Sequence, residues 1–341
     1  MISASPDLPS HPHAHQLSVW LMVAAASVFI MAVIGAITRL TESGLSMVEW
    51  TPLIGVLPPL DAAEWQRVFG LYQQTPEYRL KNFGMDMEAF KNIFFWEWLH
   101  RTFGHVIAVV YAVPLVIFTA QGKVPRAMLP RLLLIFALGG LQGGVGWYMV
   151  ASGLVDRPDV SHFRLALHLG MAVLIYALTV WTVCDLRQRK EPTVFCIRRH
   201  GWVALLLVAI TMLYGAFVAG LDAGFAYNTF PLMNGQWVPD EINTLQPWWQ
   251  NALQNTAAVQ WLHRWLAVAA AFAVLTYAWR LRGRRVAMWL GVAVLVQVML
   301  GITALLLHVP VALGALHQAG ALAVLTLLLI CLHRHGKLKP A

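Results

Sequence analysis

Four of the histidines in the apolar segments of this 341-residue chain have sequence neighbours that repeat. Trp-Leu-His-Arg at 98–101 returns at 261–264, and Ala-Leu-His at 166–168 returns at 315–317. An imidazole in an apolar segment costs free energy unless a partner satisfies it. A single histidine of this kind is usually a core residue with a hydrogen bond, but four at repeated positions indicate ligand sites. The four are His100, His168, His263 and His317.

The chemistry predicted for these histidines is axial ligation of heme iron. Two opposed histidines without an accompanying Cys, Asp or Glu cluster fit a heme better than a structural zinc ion, which takes four tetrahedral ligands. His100 and His168 fall in the first half of the chain, and His263 and His317 fall in the second. The sequence therefore predicts one heme in each half.

Arginines near the histidines are candidates for binding the anionic heme propionates through charge-assisted hydrogen bonds. The alternative for each is an interfacial arginine whose head group extends to water. The candidates are Arg39, Arg101, Arg164 and Arg264.

The halves differ beside the histidines. Glu97 precedes His100 by one helical turn, on the same face, whereas Gln260 holds the matching place before His263. A carboxylate beside a heme can relay protons or polarise a reacting group. The alternative is that Glu97 pairs with a nearby arginine in the outer loop. The asymmetry predicts a reactive or exchangeable site in the first half and a fixed, electron-carrying heme in the second. The other unmatched positions are Arg39 against Ala219, Arg164 against Leu313 and His105 against Val268.

The elements that must position these residues are membrane helices. The chain is 59% hydrophobic and 12% charged, which is more apolar than a soluble core requires. Helices are favoured over a barrel because the apolar runs are continuous. Eight runs reach the length of about 20 residues that crosses a bilayer. They are approximately 18–38, 93–119, 132–150, 165–184, 201–221, 256–279, 286–306 and 314–332.

The repeat predicts two pseudo-symmetric four-helix bundles. Gly35 and Gly215 are 180 residues apart, and so are Glu42 and Asp222. An even number of helices in each half makes the repeats parallel, with the pseudo-twofold axis along the membrane normal. Gln142 and Gly146 likewise match Gln297 and Gly301. The predicted divisions are a flexible cytoplasmic N-terminus at 1–17, a substrate-heme bundle at 18–190 and a heme b bundle at 191–341.

Lys and Arg concentrate in the short loops and the C-terminal tail, which predicts that both termini are cytoplasmic in a bacterial inner membrane. The net charge of +8 then reflects topology, not nucleic-acid binding. This orientation places each of the four histidines within the first two turns of its helix, toward the outer face.

Taken together, these motifs closely resemble the heme A synthase family, in its cysteine-poor subtype from alphaproteobacteria and mitochondria. The resemblance covers nearly the whole chain and includes 35–46, 97–101, 228–233 and the helices of His168 and His317. It implies oxidation of the C8 methyl group of heme O to a formyl group by successive hydroxylations. It also implies that His100 and His168 hold heme O, that His263 and His317 hold heme b, and that Glu97 is needed for turnover.

The resemblance also implies partners. Heme O synthase would supply the substrate, cytochrome oxidase assembly factors would receive the product, and electrons would come from an external ferredoxin-type donor. Membrane lipid surrounds the chain, and a homo-oligomer is possible. The competing functions are a two-heme membrane electron-transfer cytochrome, which would have two equivalent hemes, and a transporter, whose site would lie near the midplane.

Overall fold

The computed structural model describes residues 11–49, 57–154, 158–187, 191–335 and 337–338. Eight of its helices are long and apolar enough to cross a membrane, which confirms the predicted all-α integral membrane fold. The spanning helices are α1 (Ala14–Leu40), α4 (Met87–Ala120), α5 (Leu129–Val150), α6 (His162–Arg187), α7 (Phe195–Gly220), α9 (Thr256–Arg280), α10 (Arg285–Leu306) and α11 (Val311–Arg334). The shorter helices in the connections are α2 (Ala62–Tyr72), α3 (Pro76–Leu80) and α8 (Asn251–Gln254).

Helix α4 begins earlier than its apolar run predicts. Asp86 caps it by accepting a hydrogen bond from the backbone N–H of Ala89, and Glu88 adds an acidic residue in the first turn. The helix is therefore 34 residues long and extends beyond the length that a membrane requires. The expectation that His100 lies within the first two turns is wrong, because His100 is in the fourth turn.

A proline inside α4 explains one contact between α4 and α1. Pro114 has no backbone N–H, so the carbonyl of Val110, four residues earlier, loses its helical donor. The indole Nε1 of Trp20 in α1 donates to that carbonyl at 3.0 Å. The side chain thus satisfies a polar group in an apolar region and attaches α1 to α4.

The two halves of the chain pack against each other. Helix α1 packs against α4 and α6 of its own half and against α11 of the other, and α6 packs against both α7 and α11. A single cluster of buried side chains includes residues from both halves, among them Tyr176, Val180, Val274, Tyr277, Leu290 and Leu328. The division at residue 190 stays a prediction.

The helix connections define two sides of the bundle. The long-loop side has the connections 41–86 and 221–255, and the short-loop side has 121–128 and 281–284. Connection 41–86 carries α2 and α3, which pack with the start of α4 through aromatic rings. Near the short-loop side, residues 192–193 form a two-residue parallel strand pair (β1, β2) with 337–338.

Charged side chains join the halves on both sides. Near the short-loop side, the Asp185 carboxylate accepts hydrogen bonds from Arg131 at 2.5 Å and from His333 at 2.8 Å. Asp185 and His333 are almost fully buried. On the long-loop side Arg39 pairs with Asp222 at 2.8 Å, and the Asp222 side chain is 42% exposed.

Candidate functional site

The first histidine pair comes from α4 and α6, and the two rings face each other. The ring centroids of His100 and His168 are 6.5 Å apart, with planes inclined at 42°. Each ring lies against a glycine of a neighbouring helix. A Cβ on Gly35 of α1 would meet His100 at 3.1 Å, and one on Gly146 of α5 would meet His168 at 3.0 Å. The absence of side chains at these glycines leaves space for the rings.

The second pair repeats this arrangement with α9 and α11. A Cβ on Gly215 of α7 would meet His263 at 3.3 Å, and one on Gly301 of α10 would meet His317 at 2.8 Å. His317 is also close enough to His263 for the two rings to interact electrostatically. The same type of ring-to-glycine contact therefore occurs at all four histidines.

Hydrogen bonds orient three of the four rings. The side-chain Nε2 of Gln142 lies 3.1 Å from Nδ1 of His168 and also donates to the His168 carbonyl at 3.0 Å. Gln297 makes the same two contacts with His317, at 3.1 and 3.0 Å. Nδ1 of His263 donates to the carbonyl of Thr211 at 3.1 Å, which leaves Nε2 with the lone pair that a metal ion requires.

His100 is the exception among the four rings. Its Nδ1 is buried and makes no hydrogen bond within the part of the chain that the structure describes. An imidazole nitrogen binds a metal ion at about 2 Å, so two rings on opposite sides of one ion have centroids roughly 6 Å apart. The 6.5 Å separation in the first pair fits a metal ion held between the rings.

Glu97 is buried one turn before His100, and both of its carboxylate oxygens accept hydrogen bonds. Oε2 accepts from the Ser46 hydroxyl at 2.8 Å and from the backbone N–H of Met47 at 2.7 Å, and Oε1 accepts from Arg101 at 2.7 Å. The arginine partner of Glu97 is Arg101 of the same helix, not an arginine of the outer loop. The carboxylate also attaches connection 41–86 to α4.

Gln260 occupies the corresponding place in the second half with the opposite hydrogen-bond polarity. Its Nε2 donates to the carbonyls of Ala223 at 2.7 Å and Tyr227 at 3.2 Å. Its Oε1 accepts from Arg264 at 3.1 Å, as Glu97 accepts from Arg101. The second site thus has a neutral amide where the first has a carboxylate.

The four arginines proposed as propionate ligands all contact protein groups. Arg101 donates to the carbonyls of Met47 and Glu49, and Arg264 donates to those of Tyr227 and Thr229. Arg39 pairs with Asp222, as described above. Arg164 donates to the Tyr148 carbonyl at 2.6 Å and stacks over the Tyr148 ring. The buried Nε atoms of Arg39 and Arg264 make no hydrogen bond in the described part of the chain.

The sequence pattern points to the histidines and the carboxylate as candidates, but it does not show that glycines lie against the histidine rings. Gly146 and Gly301 were matched as part of the repeat, and so were Gly35 and Gly215. A signal was present, because a glycine in a membrane helix often marks the close approach of another group. Only the packing of the helices identifies the histidine rings as those groups.

Comparison with known proteins identifies the family of the chain. Residues 18–329 match the model of the COX15-CtaA family, described as cytochrome oxidase assembly protein. A protein named heme A synthase from Rhodospirillum centenum is 52% identical over 329 residues, which cover 93% of this chain and 87% of that protein. Heme A synthase from Parvibaculum lavamentivorans is 44% identical and covers 95% of each chain. Heme A synthase from Nitrosospira multiformis is 45% identical and covers 91% of this chain and 90% of its own. The chain belongs to the COX15-CtaA family.

Proposed function

We propose that this chain is a heme A synthase, an oxidoreductase that converts the C8 methyl group of heme O to a formyl group and so provides heme A for cytochrome oxidase. The observation that carries the proposal is its 44–52% identity, over nearly the full chain, to relatives with that name. The two histidine pairs in membrane helices supply sites suited to such a reaction.

The first pair, His100 and His168, is proposed to bind heme O, and the second pair, His263 and His317, is proposed to bind heme b. The bound hemes supply the redox chemistry that the side chains cannot. The centroid separation of 6.5 Å supports ligation at the first pair. The Thr211 carbonyl supports it at the second, because it fixes the tautomer of His263.

Glu97 is proposed as the catalytic residue of the first site. Three hydrogen-bond donors hold the Glu97 carboxylate one helical turn from His100. These hydrogen bonds restrict the side chain to one conformation. A carboxylate held in this way can accept or donate a proton near the reacting methyl group. Gln260 cannot do so at the second site, which favours electron transfer there.

Arginines at the long-loop ends of the helices are proposed to face the heme propionates. The unsatisfied Nε atoms of Arg39 and Arg264 support this role, since each guanidinium has a donor beyond those used by its protein partners. Arg101 belongs to the same group because it repeats the contacts of Arg264. Arg164 is the fourth member, on α6 before His168.

The long-loop side is proposed to face away from the cytoplasm of a bacterial inner membrane, with both termini cytoplasmic. Lys and Arg near the short-loop side and the positive-inside rule support this orientation. Each hydroxylation consumes dioxygen and electrons. An external ferredoxin-type protein supplies the electrons. Heme O synthase supplies the substrate, and assembly factors of cytochrome oxidase receive the product.

Pigment analysis of the purified protein tests this function. Hemes are extracted and separated by chromatography after expression with and without heme O synthase. We expect heme b alone without the synthase, and heme O and heme A in addition with it. Two equivalents of heme b under both conditions, without heme A, would instead identify a two-heme electron-transfer cytochrome.

Two variants assign the pairs in the same experiment. His100→Ala is expected to lose bound heme O and keep heme b, because only the first pair is broken. His263→Ala is expected to lose heme b. Loss of the same heme in both variants would contradict the assignment of one heme to each half.

A further inference from the structure

A groove lies on the surface between α1 and α4, toward the short-loop side of the bundle. Its volume is about 560 Å³, which is within the size range of small-ligand sites. The groove is separate from the first histidine pair, because Val110 follows His100 by ten residues, about 15 Å along the helix. Its apolar lining consists of Val19, Trp20 and Val23 of α1 and Val110, Pro114 and Phe118 of α4.

Contacts between the two helices hold the floor of this groove in place. The Trp20 side chain is buried, and its indole N–H donates to the Val110 carbonyl that Pro114 leaves without a helical donor. The Trp20 ring also packs edge-on against the Phe118 ring, with centroids 5.7 Å apart. The groove is therefore formed by packing within the protein and does not require a ligand to open it.

The outer wall of the groove faces the hydrocarbon of the membrane. Val19 and Val23 are 39% and 50% exposed, and both belong to a helix that is long and apolar enough to span a bilayer. The surrounding medium at this position is hydrocarbon, so an apolar chain can enter the groove from the side. The lining predicts a ligand with a hydrocarbon chain.

One end of the groove is polar. His15 and Gln16 line it there, in the first turn of α1, and both are exposed. Lys123 follows the end of α4 by three residues, and its Nζ lies 5.6 Å from the centroid of the Phe118 ring. The polar end is therefore at the short-loop boundary of the membrane, where a lipid head group would lie.

The charge at this end of the groove is positive. Neither residues 11–41 nor the connection 121–128 contains an Asp or Glu, whereas the connection carries Lys123 and Arg126. Within the described ranges no carboxylate forms an ion pair with Lys123. An anionic head group would supply the charge that complements this lysine.

We propose that the groove binds an anionic phospholipid, with one acyl chain between α1 and α4 and the phosphate beside Lys123 and His15. Basic side chains next to a membrane helix attract anionic lipids, and an ammonium or imidazole N–H can donate to a phosphate oxygen. A zwitterionic phospholipid could place its chain in the same groove but would gain less from Lys123. The proposal does not depend on the heme A synthase function.

The test measures lipid binding to the purified full chain in detergent by native mass spectrometry. The protein is titrated with phosphatidylglycerol or with phosphatidylcholine of the same acyl chains. We expect phosphatidylglycerol to bind at least about fivefold more tightly, as one lysine near the membrane surface predicts. Lys123→Gln should remove this preference. Arg282→Gln is the matched control, because Arg282 lies over the ring of Trp279 on the same side but outside the groove.

A second variant tests the groove itself. Val23→Trp places a large ring in the groove, and we expect the affinity for both lipids to fall severalfold. Val116→Trp is its control, because Val116 is 66% exposed on α4 and does not line the groove. Circular dichroism verifies that each variant is folded.

Equal affinities of the wild-type protein for the two lipids would overturn the proposal. An equal loss of preference in Lys123→Gln and Arg282→Gln would also overturn it, since that result indicates a general effect of surface charge. After expression with heme O synthase, loss of heme O from Val23→Trp without a change in lipid binding would assign the groove to the hydrocarbon tail of heme O instead. None of these measurements uses heme A formation, so they stand apart from the test of the proposed function.

Discussion

At the first histidine pair, Glu97 accepts hydrogen bonds from connection 41–86, and at the second pair Gln260 donates hydrogen bonds to connection 221–255. The loop residues involved, Met47 and Tyr227, are 180 residues apart, the same offset as Gly35 and Gly215. One presents its N–H and the other its carbonyl. The same position in the repeat therefore has opposite polarity in the two halves.

This comparison shows that the difference between the sites is local. The histidine rings, their glycine contacts and the glutamines at two of them are alike in both halves. The arginine after each first histidine also binds loop carbonyls in both. The two sites thus have similar arrangements of histidines, glycines and arginines but different chemical environments. The difference is the side chain one turn before the first histidine, which is Glu97 in one site and Gln260 in the other.

The largest expected effect comes from exchanging that side chain. In Glu97→Gln the amide N–H₂ would face either the N–H of Met47 or the guanidinium of Arg101, both of which are donors. We expect heme A formation to fall by at least about 100-fold, while bound heme is retained. Chromatography of heme A relative to total heme measures the effect.

Gln260→Glu is the matched exchange in the other half. A carboxylate there would face the carbonyls of Ala223 and Tyr227, so we expect loss of heme b and not of heme O. Full heme A formation in Glu97→Gln would show that Glu97 is not needed for the reaction. It would also contradict the view that the Glu97/Gln260 difference gives the two sites different roles.

The glycine contacts predict an intermediate effect. In Gly301→Ala the new methyl group would approach His317 at 2.8 Å, so the ring must move from its position. We expect a several-fold decrease in heme b, measured by its absorption spectrum after purification. Gly291→Ala in the same helix meets no atom within 4 Å and should retain it.

The other glycine sites sharpen this prediction. Gly215→Ala, with a 3.3 Å contact, should cost less than Gly301→Ala at the same heme. An equal loss of heme b in Gly291→Ala and Gly301→Ala would show that helix stability, not the histidine contact, is responsible.

The smallest expected effects on heme content concern two charged contacts, which are expected to act on stability. Asp185→Asn leaves Arg131 without its carboxylate at a site where Asp185 is almost fully buried, so we expect a loss of about 3 kcal/mol in the free energy of unfolding. Asp222→Asn breaks a partly exposed pair with Arg39 and should cost less than about 1 kcal/mol. Unfolding in detergent measures both, and equal losses would contradict the distinction.

Much of the architecture could be predicted from the sequence because the membrane restricts the choice of structure. The eight apolar runs correspond to the eight spanning helices, since lipid leaves the backbone few alternatives. The start of α4 could not be read from hydropathy, because the cap at Asp86 and the polar first turns are aqueous features. The aromatic packing of α2 and α3 likewise has no periodic signal of membrane type.

The sequence by itself determined the types of residue available for chemistry: four histidines at repeated positions and one glutamate without a counterpart. Only the tertiary structure decided how they are arranged. It set the 6.5 Å separation of His100 and His168, the glycine surface behind each ring, and the burial of Glu97. These features depend on the approach of helices and loops that are distant in the chain, and a linear pattern contains no distance between them.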